Sequence, residues 1–496
     1  MKATQFTDTV SAMLVLAAFA GGTAAGADPS AELLHVVRRY ADTMIEKGRD
    51  VYGPQESRLL LSAMDRSTLK PLTTCPAPPA GVRDMDRVGR EKGPLVGANP
   101  FHDENLLRIL YALTDMTGDA RYREAADGEL KWFFTRAAWP QTGLLPWGEH
   151  MSWNVVEDKP ASRCRVPRHE MGRPWMLWDR SFELAPDACA RFATALWEHQ
   201  IADHQTGDFD RHASPHEHKP GRDYDLPRHA GMYILTWAKA YRHTKDESYL
   251  HYIDVLLRHF ETKRHPQTGL ISAWRDSDVA WPLSTLSMAL ECHASADDVP
   301  GTLAKRLRAF AEAEDKAFLA LDHDPFGRGY VVSAVRHTGK SSGQIGRDKI
   351  QERTVLWGGA GGEATTAMVS LLCVARHAQA PCDGYKKLIL DGARLYLHRR
   401  PEPEHDTWPL AVSQAITLQL AGYRLSRDRQ YLDGARNLAV DAVRTYWQDN
   451  PLPKASVKTD HYETLTGGDS LALSLLEVSA ADTQAAARVP SNTVDR

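Results

Sequence analysis

Leu, Ile, Ala, Tyr and Trp recur at three- and four-residue steps along most of this chain, with polar residues between them. That is the period of an amphipathic helix; the strict alternation of a half-buried strand is rare. Three stretches can be laid over one another: residues 106–147, 231–274 and 415–450. Each opens on an apolar helical run and breaks at a short polar link, TGDARY, TKDESY or SRDRQY. Each then resumes at a Tyr with a second amphipathic run. The unit is a helical hairpin of roughly forty residues. Looser copies lie at 32–48, 191–212, 302–321 and 365–378, and the best strand signal is YVVSAVRH at 330–337.

PQTGL stands at 140–144 and again at 266–270, with a further QTG at 205–207. Pro presets its own φ and Gly tolerates positive φ, so the spacing predicts one type of turn closing successive hairpins. Such hairpins either stack as an open solenoid or close into a ring with an inner and an outer layer. The links after the second helices are long, uneven and rich in Trp, His, Arg and Asp, which favours a ring with a cleft at one mouth. The expected fold is all-α, an (α/α)6–7 toroid forming one domain over 28–480. Residues 481–496 have little to bury and are expected to form a flexible tail.

The N-terminus changes the cellular picture. Lys2, the apolar run SAMLVLAAFA (11–20) and Ala25-Gly26-Ala27 read as a secretory signal peptide over 1–27. A periplasmic or secreted protein follows, with no membrane association after cleavage. The formal net charge of −4 lacks the basic excess that a nucleic-acid partner requires. Six cysteines in 496 residues are not a disulfide framework. With no CxxC or HExxH spacing, neither a metal nor another cofactor is expected. The His-Glu-His triplet at 216–218, taken with His212, reads as solvated loop histidines.

Candidate chemistry gathers in the long links. VGANPFHDEN holds Asn99, His102 and Asp103, and PWGEHMSWN holds Trp147, Glu149 and His150. PRHEMGRPWMLWDR holds His169, Glu170 and Asp179, and VKTDHYETLTGGD holds Tyr462. Aromatic faces cover the apolar faces of pyranoses while Arg, His and carboxylates take hydroxyls and uronates, so an acidic polysaccharide is the expected partner. Trp147, Glu149, His169, Glu170, Arg228 and Tyr462 form the expected binding set. In PRHAGMYILTWAKAY (227–241), His229 and Tyr233 share a helix face with Arg228 beside them. β-Elimination from a uronate needs the carboxylate's charge offset, a base for the C5 proton and an acid for the departing O4. Asn99 or Arg228 can offset the charge, His150 or His229 act as base, and Tyr233 as acid. One alternative is glycoside hydrolysis by a pair drawn from Asp103, Glu149, Glu170 and Asp179. A second is a non-catalytic glycan-binding protein.

The series YGPQES (52–57), VGANPFHDE (96–104), LYALTDMTGDARYREAAD (110–127), TGLLPWGEH (142–150), PRHAGMY (227–233) and KTDHYETLTGGDSLALSLLE (458–477) resembles polysaccharide lyase family 38. That family contains α/α-toroid alginate and glucuronan lyases, and the resemblance covers nearly the whole chain after residue 27. It implies an Asn99 neutraliser, His150 or His229 as base, and Tyr233 as acid with Tyr462 as its substitute. Arg228 would then stand near the carboxylate. Related toroids include unsaturated glucuronyl hydrolases and β-glucuronidases, so the resemblance leaves the reaction open.

Overall fold

A computed structural model describes residues 29–275, 277–345, 348–358 and 363–492. The expected signal segment lies outside them. Fourteen helices follow in order among the described residues: α1 (Pro29–Lys47), α2 (Glu104–Thr117), α3 (Ala120–Arg136), α4 (Trp178–Leu184), α5 (Pro186–Gln200), α6 (Pro227–Thr244) and α7 (Ser248–Thr262), then α8 (Pro282–Ser295), α9 (Gly301–Leu319), α10 (Thr366–Gln379), α11 (Asp383–Leu397), α12 (Pro409–Ser426), α13 (Arg429–Ala442) and α14 (Gly468–Ala480). Consecutive helices pack as hairpins, and α6, α8, α10, α12, α14 and α2 also contact one another in turn. The short α4 bridges α3 and α6, and α1 packs on α14 to close the ring. The result is a seven-paired α/α toroid.

Sequence explains which helices lie inside. Every residue of α14 is buried, as are most of α12 and α8. A helix apolar or small on all sides belongs in a core. By contrast α7, α11 and α13 bury one stripe and leave charged faces to solvent. Gly231 on α6 lets the inner layer close, because a Cβ there would lie 2.8 Å from the Met288 backbone on α8.

The repeated sequence signals make repeated geometry. Gly143, Gly207 and Gly269 have φ of 76°, 81° and 74°. Their amides donate to Trp139 O, Asp203 O and His265 O at 2.8, 2.8 and 2.9 Å. The hydroxyls of Thr142, Thr206 and Thr268 accept from the residue after each Gly. One turn thus follows each of the outer helices α3, α5 and α7. The links within hairpins also match: Gly118, Lys245 and Arg427 turn the chain at φ of 77°, 61° and 61°. Asp119 and Asp428 then cap the next helices.

Two expectations change. The strand expected at 330–337 contributes only Ala334–Val335, paired with Val279–Ala280. The described part of the tail is packed, not loose. Val489 is buried, and buried Asn492 donates to Ser413 Oγ at 2.6 Å and accepts from Asn105 at 3.1 Å. Polar rather than apolar contacts hold it, which hydrophobic patterning cannot reveal. All six cysteines are free, and no helix among the described residues is long and apolar enough to cross a membrane.

Near the ring closure, Asp103 is fully buried and bonds Ser62 Oγ at 2.6 Å. Burial pushes its carboxyl up to about 7, against the partial relief of that hydroxyl. The folded protein therefore keeps a proton that the unfolded chain loses above about pH 4. This group's penalty is absent in acid, grows as pH rises from about 4 to about 7, and stays constant beyond, on the order of 4 kcal/mol. Asp103→Asn should melt several degrees above the parent at pH 8 and level with it near pH 4. Thermal unfolding at both pH values checks this, and a variant that melts lower at pH 8 contradicts it.

Candidate functional site

Three loop segments meet below the mouth of the ring. Gly148 bridges Glu170 in parallel, and the Glu149 amide donates to Glu170 O at 3.1 Å. Only Gly fits there: its φ is 85°, and a Cβ would fall 1.8 Å from Glu170 O. On the other side His169 and Ala213 exchange backbone hydrogen bonds of 2.8 and 3.0 Å. These pairings bring His150, Glu170 and His212 together. Asn99 secures the first loop by donating from Nδ2 to Gly148 O at 2.8 Å and Met151 O at 3.0 Å. Pro227 opens α6 at its first position, placing His229 in the first turn.

Glu170 is the centre. Its side chain is completely buried, yet four basic groups surround it. Arg211 Nη1 lies 2.5 Å and His229 Nε2 3.1 Å from Oε1. His212 Nε2 lies 2.9 Å and His150 Nε2 3.2 Å from Oε2. Burial alone would raise the Glu170 carboxyl, but the imidazoles of His150, His212 and His229 outweigh it and hold the group well below the usual carboxylate range. Burial and Arg228 push His229 down to about 4, so it stays neutral and donates to the carboxylate. Burial also opposes the charge on His150, but Asp86 at 3.1 Å and Glu170 prevail and push it up to about 11. His212 is raised likewise by Asp210 and Glu170 against burial.

This donor set fits a divalent cation. His150, Glu170 and His212 offer one ligand atom each within 4.8 Å of one another. The two Oε2 contacts are close but not aligned as hydrogen bonds, leaving buried Oε2 without a hydrogen-bond partner. Two imidazoles and a carboxylate suit a transition metal such as Mn, Zn or Ni. The chain thus provides a candidate metal seat where the sequence suggested none. His216 and His218 are not part of it; they pack on Trp139 and His199.

The remaining expected site residues fall into two groups. Trp147 and His169 are fully buried, with Trp147 inside a cage of Phe101, Phe133, Trp175 and Phe192. They support the loops and cannot touch a polymer. Tyr233 is sealed against Phe209 and Trp237 with no partner for its hydroxyl. Tyr462 is equally buried and bonds Tyr40 at 2.7 Å. A phenol sealed in this way cannot reach a leaving oxygen. Asn99 has spent its amide on loop carbonyls, and His150 and His229 face Glu170. Of the carboxylates weighed for hydrolysis, Asp103 binds Ser62 and Asp179 pairs with Lys239 and His243, whereas Glu149 stays beside Glu170, joined to Arg83 and 4.0 Å from the Arg211 that Glu170 also holds.

Arg228, which was expected, and Arg211, which was not, are the cations that face outward. Both line a cleft of about 620 Å³ at the N-terminal ends of α6, α8, α10 and α12. Tyr224, 49% exposed, stands there with the Arg211 guanidinium 5.9 Å from its ring centre. Arg211, Asp86 and Tyr224 were not singled out from the sequence, and His212 was read only as a solvated loop histidine. The density of His, Asp and Arg over 204–229 was the available signal; pairing with His150 across sixty residues was not.

A family model described as periplasmic pectate lyase matches residues 89–274, the span that holds His150, Glu170, Arg211, His212, Arg228 and His229. Pectate disaccharide-lyase of Dickeya dadantii (strain 3937) is 24% identical over 201 residues, which are 35% of this chain and 36% of that protein. The alignment with this curated relative therefore spans about a third of its length. A D-mannose isomerase structure superposes over 90% of this chain and 97% of its own, with TM-score 0.48 and 9% identity. Unsaturated glucuronyl hydrolase from Bacillus sp. GL1 covers 94% and 99%, with TM-score 0.46 and 12% identity. The sequence likeness falls on the half of the ring that carries the Glu170 cluster, and it is a likeness to polysaccharide lyases.

Proposed function

We propose that this protein is an exported lyase that cleaves a uronate-containing polysaccharide by β-elimination. One observation carries the reading: Arg211 touches buried Glu170 and at the same time faces the cleft. That arrangement puts a charged proton-handling group between a cation seat and open space. The matched lyase region supports it by spanning every member of the cluster. The description of that family as periplasmic agrees with export.

The C5 proton of a uronate becomes removable once the adjacent carboxylate's charge is offset. His150, Glu170 and His212 would hold a divalent cation, which when bound supplies that offset. Arg228, on the same rim, adds a second positive charge for the carboxylate. We assign proton abstraction to Arg211 in its neutral form, because His150 and His229 point inward to Glu170. Only the neutral guanidine has a lone pair to take the C5 proton, so the rate should climb with pH. Tyr224 stands beside Arg211 and can return a proton to the departing O4. The bond from C4 to O4 breaks as the C5–H pair forms the C4–C5 double bond.

Absorbance from that double bond is the assay. With polygalacturonate, alginate and glucuronan as substrates and Mn²⁺ added, at least one should give growing ultraviolet absorbance. Arg211→Ala should lower kcat by at least about a hundredfold. The parent's rate should climb with pH through the alkaline range, whereas a plateau already near pH 5 would return the base to His229.

Tyr233→Phe should keep activity within about twofold, since that hydroxyl is sealed away from the cleft. A variant that folds but is inactive would restore Tyr233 as the acid.

Metal titration tests the seat separately. Mn²⁺, Zn²⁺ or Ni²⁺ must displace protons from His150 and His212, so apparent affinity should rise with pH and binding should release protons. Calorimetry in buffers of different ionisation enthalpy reads both effects. His212→Ala should weaken binding by about a hundredfold or more; unchanged uptake would remove the seat.

A further inference from the structure

The cleft is not uniformly suited to a polyanion. Its cations among the described residues, Arg211 and Arg228, both stand at the α6 end. Proceeding around the rim past α8 and α10 to α12, the lining includes partly exposed Trp281 and Trp408 and buried Trp357, and the charged lining group there among the described residues is Glu363. These rings are held in place. Trp281 packs edge-on against Trp274 at 4.8 Å, Trp357 against Tyr396 at 5.1 Å, and Trp408 Nε1 donates to Ala80 O at 2.9 Å. Fixed aromatic faces lose little entropy on meeting a ligand.

A homopolymeric uronate carries one carboxylate on every sugar. Each carboxylate drawn into a confined cleft needs a partner for its charge. The indole wall provides none, and Glu363 repels it. Indole faces do cover the C–H faces of pyranoses, whatever the sugar's substituents. Charge and aromaticity therefore specify different sugars at the two ends.

Resting on the elimination reading for the Arg211 end, we infer that the cleft selects a uronate flanked by sugars that carry no free carboxylate. Such a flank is either a neutral sugar of a mixed polymer or an esterified uronate. The shared chemistry is an uncharged pyranose stacked on Trp281 and Trp408.

Binding separates this inference from the reaction. Isothermal titration would compare three oligosaccharides of equal length: fully de-esterified oligogalacturonate, the same chain methyl-esterified beside one free uronate, and an alternating uronate–neutral oligomer. At least one uncharged-flank ligand should bind about tenfold tighter than the fully charged one, and which of the two does so identifies the flank. Trp408→Ala should erase most of that gain, with Trp408→Phe retaining it. Glu363→Arg, on an exposed loop, should tighten the fully charged ligand and leave the others nearly unchanged. Equal or tighter binding of the fully charged chain by the parent, or no binding of any, overturns the inference. If the preference holds while none of the three yields ultraviolet absorbance, elimination fails and the substrate assignment stands.

Discussion

A carboxylate with no access to water is among the most costly groups a fold can contain, and Glu170 is such a group. Arg211, His150, His212 and His229 make it tolerable by surrounding it with positive charge and donors. The same contacts tie three loops to the first turn of α6. Deleting the carboxylate would leave two protonated imidazoles and a guanidinium facing one another. The site and the local fold are therefore a single electrostatic unit, in which no member can change without altering the others.

The ring gives that unit an outlet. Pro227, Pro282 and Pro409 occupy the first turns of α6, α8 and α12, where a missing amide costs nothing. These inner helices begin at the cleft, so their positive dipole ends are directed toward the mouth. Long links after each outer helix climb back to that mouth, which is why chemistry-bearing residues accumulate there. Arg211 is the side chain that joins the buried cluster to the open space above it.

Many of the aromatic residues that suggest a sugar site from the sequence have a different task. Trp147, Trp175 and Trp178 form one cage behind the Glu170 loops, where large rigid rings fix the backbone that presents His150 and Glu170. The tryptophans at the cleft are Trp274, Trp281, Trp357 and Trp408, which lie far along the chain. Local context around PWGEHMSWN could not distinguish support from contact, because both demand the same residue type.

The sequence by itself determined the paired helices, the inner and outer layers, and the repeated turns. Those depend on contacts a few residues apart: the three- and four-residue apolar step, the Thr and Gly of PQTGL, and the Asp caps of TGDARY and SRDRQY. It also located the segments rich in His, Arg and carboxylates. Only the tertiary structure decided which of their side chains meet. Gly148 against Glu170, and His169 against Ala213, are pairings between distant loops with no periodic signal in either partner. They turned Glu170 from an expected sugar contact into the anchor of a candidate cation seat, recruited His212 and Arg211, and left Tyr233 and Tyr462 sealed in the core. Nor could periodicity foresee that Asn492 would be held inside by polar bonds, because a hydrogen bond's value depends on what surrounds it in space, not in sequence.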